Sequence, residues 1–123
     1  MVWYPSVEVV IKANKRAVRN DKHRHKLRRS TKAISSLIDS IRESESMGLA
    51  YQSARFMKEL VHLHAFDGGN HRTAYSIAAL FLIKNGIDLR TVPSSISYPF
   101  AKAIDAKNTA EVEAWILENM LEL

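Results

Sequence analysis

Cysteine is absent from the 123 residues. A disulfide framework and thiolate chemistry are therefore closed to this chain. Apolar runs approaching the roughly 20 residues needed to span a bilayer are also missing. The N-terminus carries no signal-peptide pattern. The expectation is a cytoplasmic protein without membrane contact. Only four glycines and three prolines punctuate the sequence, and aromatic residues make up 8% of it. Repeats, low-complexity stretches and linkers are lacking, so residues 1–123 read as a single domain with one core. A hydrophobic content of 46% with 25% charged residues is that of an ordinary globular protein.

Acidic residues are scarce in one place. Between Lys12 and Lys32 the only acid is Asp21, against ten of the chain's eighteen basic residues. The rest of the chain is net negative. A basic block of this kind suits an acidic partner, either nucleic acid or an acidic protein segment, with Arg24, Lys26, Arg28 and Arg29 as docking candidates. The plain alternative is a solvated loop with charged helix ends. Aromatic residues for base stacking are absent from the block, which weakens the nucleic-acid reading.

The periodicity predicts an all-α fold. Ser6 caps a helix through about Val18, with Val9, Val10, Ala13 and Ala17 on one side. Residues Arg19 to Arg29 have no apolar period and read mostly as loop. Ser30 opens a second helix, in which Ile34, Leu37, Ile38 and Ile41 follow the i, i+3, i+4, i+7 rule. A third helix runs from about Leu49 to His64. A fourth, from Asn70 to Asn85, is apolar nearly all round and is expected to be the central buried helix, with Gly86 as its C-cap. A fifth is expected from about Ser95 to Ala106. Asn108 and Glu111 form a capping box for a last helix through about Leu121.

Between the third and fourth helices lies His64-Ala65-Phe66-Asp67-Gly68-Gly69-Asn70-His71-Arg72. The glycines let the backbone approach a ligand closely. Asn70 is placed to cap the helix that follows. A helix start gathers unpaired N–H groups at the positive end of the helix dipole and so suits a phosphate. His64 offers a proton acceptor near neutral pH, and Arg72 a phosphate clamp. Taken singly, His64 reads as a hydrogen-bonded helix-end histidine and Arg72 as a salt-bridge partner. The spacing of the whole segment favours the joint reading.

This segment resembles the core motif of the Fic/Doc family, His-x-Phe-x-acid-Gly-Asn-(Gly or Lys)-Arg. His64, Phe66, Gly69, Asn70 and Arg72 match. Arg72-Thr73-Ala74, Leu80-Phe81-Leu82 and Asn85-Gly86 are similar to the Doc, or death-on-curing, branch. The resemblance implies a compact helical toxin that transfers a phosphate-containing group from ATP or another nucleoside triphosphate to a protein hydroxyl. His64 would be the general base and Phe66 would pin the loop. Gly69, Asn70, His71 and Arg72 would bind phosphate.

Two positions depart from the pattern. Gly68 stands where the family has the acid that holds a divalent cation such as Mg2+, and Asp67 lies one residue early. Either Asp67 takes over that role or the site is weakened. His71 stands at the Gly-or-Lys position and looks more like the lysine case, which favours phosphoryl over nucleotidyl transfer. His62 and His64, two apart, do not share a helix face and form no zinc pair. The family's inhibitory Ser/Thr-x-x-x-Glu helix is incomplete. Thr109 and Glu113 have the spacing but Ala114 follows, and Glu118-Asn119 lacks a Ser or Thr at Ala114. The resemblance thus implies a separate antitoxin and, from the Doc branch, a translation elongation factor as target. The alternatives are a degenerate member that binds nucleotide or a partner without turnover, and a basic nucleic-acid-binding module.

Overall fold

The computed structural model describes residues 1–19, 25–89, 105 and 107–122. Its helices are α1 (Val7–Ala17), α2 (Thr31–Arg42), α3 (Leu49–Leu63), α4 (Asn70–Lys84) and α5 (Thr109–Asn119), with a 3-10 turn at Glu45–Met47. Two short strands, β1 (Ile87–Leu89) and β2 (Met120–Glu122), pair antiparallel, with Ile87 opposite Glu122 and Leu89 opposite Met120. The architecture is all-α with this one ribbon attached.

The helix starts follow from the capping residues. Ser6 Oγ accepts from the Val9 N–H (3.3 Å) and Ser30 Oγ from the Ala33 N–H (3.2 Å). Each satisfies a donor that the first turn leaves unpaired. The capping box of α5 is reciprocal: Asn108 Oδ1 accepts from the Glu111 N–H (2.8 Å), and Glu111 Oε1 accepts from the Asn108 N–H (3.2 Å). That helix ends at Asn119 rather than near Leu121, because residues 120–122 leave it to pair with β1. Three-residue strands are too short to show an alternating pattern, and none was expected here. Of the helix expected over Ser95–Ala106, all but Asp105 lies outside the described residues.

The core is one cluster drawn from α1 (Val10), α2 (Ile34, Ile38, Ile41), α3, α4 and α5 (Val112, Ile116). α3 packs against α2, α4 and α5, while α4 also meets α1 and β1. The central position is shared: α3 and α4 each bury eight of their fifteen residues, and Ser76, Ile83 and Lys84 of α4 face outward. Phe56 of α3 and Phe81 of α4 meet with ring centroids 5.2 Å apart, and Tyr4 adds a third ring 5.6 Å from Phe81. Each fully buried phenylalanine contributes about 1.5–3 kcal/mol. The tight α3–α4 pair fixes the short turn that joins them.

The N-terminal segment is strapped across the far end of α4. Asn85 Oδ1 accepts from the Trp3 N–H (2.8 Å), and Asn85 Nδ2 donates to the carbonyls of Trp3 (3.0 Å) and Phe81 (2.7 Å). Asn85 caps α4, with Gly86 beyond it at φ 87°.

Candidate active site at the turn between α3 and α4

α3 ends on His64, whose backbone is left-handed (φ 49°, ψ 51°). Among the described residues it alone combines a side chain with positive φ. That conformation costs an L-residue roughly 1–2 kcal/mol. It turns the chain sharply and leaves His64 exposed, while Ala65 and Phe66 drop into the core at 1% and 2% exposure. Phe66 therefore anchors the loop, as its apolar bulk demands.

The loop is closed by a single side chain. Asn70 Oδ1 accepts from the Phe66 N–H (3.2 Å), and Asn70 Nδ2 donates to the Phe66 carbonyl (2.9 Å). The expectation that Asn70 caps α4 is corrected. Gly69 occupies the cap position, at φ 72°, and Asn70 is the first helical residue. From there its amide matches the peptide groups of Phe66 and does not reach forward into the helix. No side chain caps α4, so its first N–H groups are not consumed by one.

The two glycines differ. Gly69 needs its positive φ, and a Cβ there would lie 2.7 Å from Val18 Cγ1. Gly68 has an ordinary negative φ, is buried, and gives its carbonyl to Asn14 Nδ2 of α1 (2.8 Å). At the position of the family's acid the carbonyl is thus turned onto α1.

Part of the basic block is stitched onto this turn. The Arg28 N–H donates to the Ala65 carbonyl (2.7 Å) and the Asp67 N–H to the Lys26 carbonyl (3.0 Å), an antiparallel bridge between Leu27 and Phe66. The stretch read as loop thus includes one sheet-like contact. Arg28 Nε lies 3.8 Å from Asp67 Oδ1, with both side chains well exposed. A pair of that kind contributes less than about 1 kcal/mol and separates easily. Arg29 is exposed, and Arg24 lies outside the described residues.

The two polar side chains that follow Asn70 are directed elsewhere. His71 Nε2 is 2.8 Å from Asp105 Oδ2. Lys58 Nζ donates to the carbonyl of that same Asp105 (3.1 Å). Arg72 Nη1 donates to the Ala17 carbonyl (3.3 Å), where a cation complements the C-terminal end of α1. The turn gathers His64, Phe66, Asp67, Gly69 and Asn70, with Lys26 and Arg28 alongside. His71 and Arg72 start from it but contact Asp105 and α1. Sequence reasoning missed Asn14, Thr73 and Asp105. Asn14 had a signal, since it interrupts the stripe Val10, Asn14, Val18 at four-residue spacing.

Residues 7–82, from α1 through α4, match the Fic/DOC family. The chain belongs to that family. Fic/DOC domains are known for transferring groups to protein targets. No curated protein and no solved structure matches the chain. Among the described residues of this Fic/DOC domain, no three His, Asp or Glu side chains cluster as a metal would require. No helix among them is long and apolar enough to cross a membrane.

Proposed function

We propose that this Fic/DOC chain is a Doc-like transferase. It moves a phosphate-containing group, phosphoryl in preference to nucleotidyl, from a nucleoside triphosphate such as ATP to a hydroxyl of a protein. The observation that carries the reading is the placement of His64. An exposed imidazole is held in a strained turn six residues before the start of a helix that no side chain caps. Strain of this kind concentrates at functional sites.

In the proposed reaction His64 takes the proton of the target hydroxyl as that oxygen attacks phosphorus. The bond to the leaving phosphate breaks, and the departing nucleotide carries away the electron pair. The N–H groups at the start of α4 receive the phosphate charge. Arg72 joins them by giving up the Ala17 carbonyl, and His71 by giving up Asp105. The cation position is the departure from the family. Within the turn Asp67 supplies a carboxylate, and Mg2+ binds through one or two carboxylates when phosphate oxygens supply further ligands. Asp67 would hold a nucleotide-bound Mg2+, which neutralises phosphate charge. The exposed basic residues Lys26, Arg28 and Arg29 suit an acidic segment of a separate antitoxin, and the target by analogy is a translation elongation factor.

A second reading has its own support. The buried Gly68, which offers no carboxylate, and the Arg28–Asp67 pair both subtract from a metal site, so a member that binds nucleotide without turnover fits them. One experiment separates the two. Cell-extract proteins are incubated with labelled triphosphate and wild type, His64→Ala, Asp67→Ala or Gly68→Asp. The transferase reading expects label transfer by wild type, a loss of about 10²–10⁴-fold in His64→Ala, and loss in Asp67→Ala. Silent wild type with a gain in Gly68→Asp establishes the binding module instead. Silence from all four overturns the transferase reading.

A further inference from the structure

The glycine pair and the start of α4 are held from the α1 side through one fully buried amide. Asn14 Nδ2 donates to the Gly68 carbonyl (2.8 Å) and to Thr73 Oγ1 (3.2 Å). Thr73 Oγ1 donates onward to the Gly69 carbonyl (2.8 Å), which also accepts from the Thr73 N–H (2.9 Å). A carbonyl can only accept, so the NH2 end of Asn14 must face the loop. The other end is buried with no partner among the described residues. An orphaned buried acceptor costs about 1–3 kcal/mol. Val10 and Val18 flank Asn14 on the same stripe and are buried, so the polar residue at this place answers to the loop it bonds and not to the stripe. An amide kept at such a cost in stability points to a task other than packing.

The task follows from peptide geometry. In a trans peptide the C=O and the next N–H point in opposite directions. With the Gly68 carbonyl drawn onto α1, the Gly69 N–H points away from α1. With the Gly69 carbonyl aligned along α4, the Asn70 N–H points out of the helix start. Among the described residues nothing accepts the N–H groups of Gly69, Asn70 or His71. We propose that Asn14 is a positioning residue that aims these N–H groups at a bound phosphate, through Gly68 directly and through Gly69 by way of Thr73. This rests on the phosphate-binding reading of the α4 start given above.

The test uses the full chain, labelled with 15N and titrated with inorganic tripolyphosphate. Wild type is expected to show the Gly69, Asn70 and His71 amides moving on titration. Asn14→Asp has the same shape, and with its carboxylate ionised it cannot donate to the carbonyl. It is expected to shift those amides before any ligand is added, to leave α2 and α3 amides in place, and to weaken tripolyphosphate by about tenfold or more, the scale of a small misplacement of binding groups. Thr73→Ser should keep wild-type affinity and Thr73→Val should lose it, a contrast that generalised loosening would not produce. Asn14→Ala carries the same expectation should Asn14→Asp not fold. Wild type that binds while Asn14→Asp, Asn14→Ala and Thr73→Val bind equally well overturns the positioning role alone. Wild type that does not bind overturns the phosphate-site reading and the inference with it.

Discussion

His64 sits in a conformation that favours glycine, and its strain and its proposed chemistry pull in opposite directions. His64→Gly removes the side-chain penalty of the left-handed region while adding chain entropy to the unfolded state. The expected outcome is a gain of about 0.5–1 kcal/mol in unfolding free energy, read from denaturant midpoints, together with loss of transfer activity. A destabilised His64→Gly would mean that the imidazole makes contacts which outweigh the strain. The motif is legible in the sequence because its spacing is that of the Fic/DOC family, which residues 7–82 match. The partners of its polar side chains are not. Local rules make Asn70 a cap, whereas its amide reaches back to Phe66. His71 pairs with Asp105, thirty-four residues away, a contact that no spacing rule reports.

Elements show the same division between local and tertiary causes. The starts of α1, α2 and α5 were readable because Ser6, Ser30, Asn108 and Glu111 act within one turn of themselves. The ribbon was not, because Ile87–Leu89 is a strand only in the presence of Met120–Glu122. Two expectations belong at this scale. Asn85→Ala removes three half-buried hydrogen bonds and should cost about 1–3 kcal/mol. It should also release the N-terminal strap, visible as a change in Trp3 fluorescence in a Trp115→Phe background. Wild-type emission would show that packing alone holds Trp3.

The other expectation concerns Tyr75, which lies on the α4 face against β1. Burial, then repulsion from Asp88, pushes its hydroxyl up to about 12 from 10 in the unfolded chain. The neutral phenol is thus favoured by folding. That contribution is complete below pH 10 and is lost as pH rises from about 10 to about 12, with a slope of at most about 1.4 kcal/mol per pH unit. Tyr75→Phe should flatten that part of the stability profile. An unchanged slope in the variant would assign it to other groups.

At the scale of the whole molecule, the described part of the basic block lies apart from the core. Lys12, Lys15, Arg16, Arg19, Lys26, Arg28, Arg29 and Lys32 are all exposed, outside a core to which every described helix contributes. The Leu27–Phe66 bridge joins these two layers and has a consequence in time. Phe66 can meet Leu27 only after the chain between them has doubled back, and closing a loop of about forty residues costs roughly 3 kcal/mol of entropy. α3 and α4 are neighbours in sequence and can pair without that closure. During refolding, helical signal and α3–α4 packing are therefore expected first. The turn bearing His64 should reach its final form late, with Arg28→Pro, which removes the N–H that the bridge gives to Ala65, slowing the return of the proposed nucleotide binding far more than the return of helicity. Simultaneous recovery of both signals in wild type and variant would show that the bridge follows the site rather than builds it. A chain of this design is expected to pass through a stage in which it is already folded by every spectroscopic measure of helix while the turn that carries its Fic/DOC motif is still unformed.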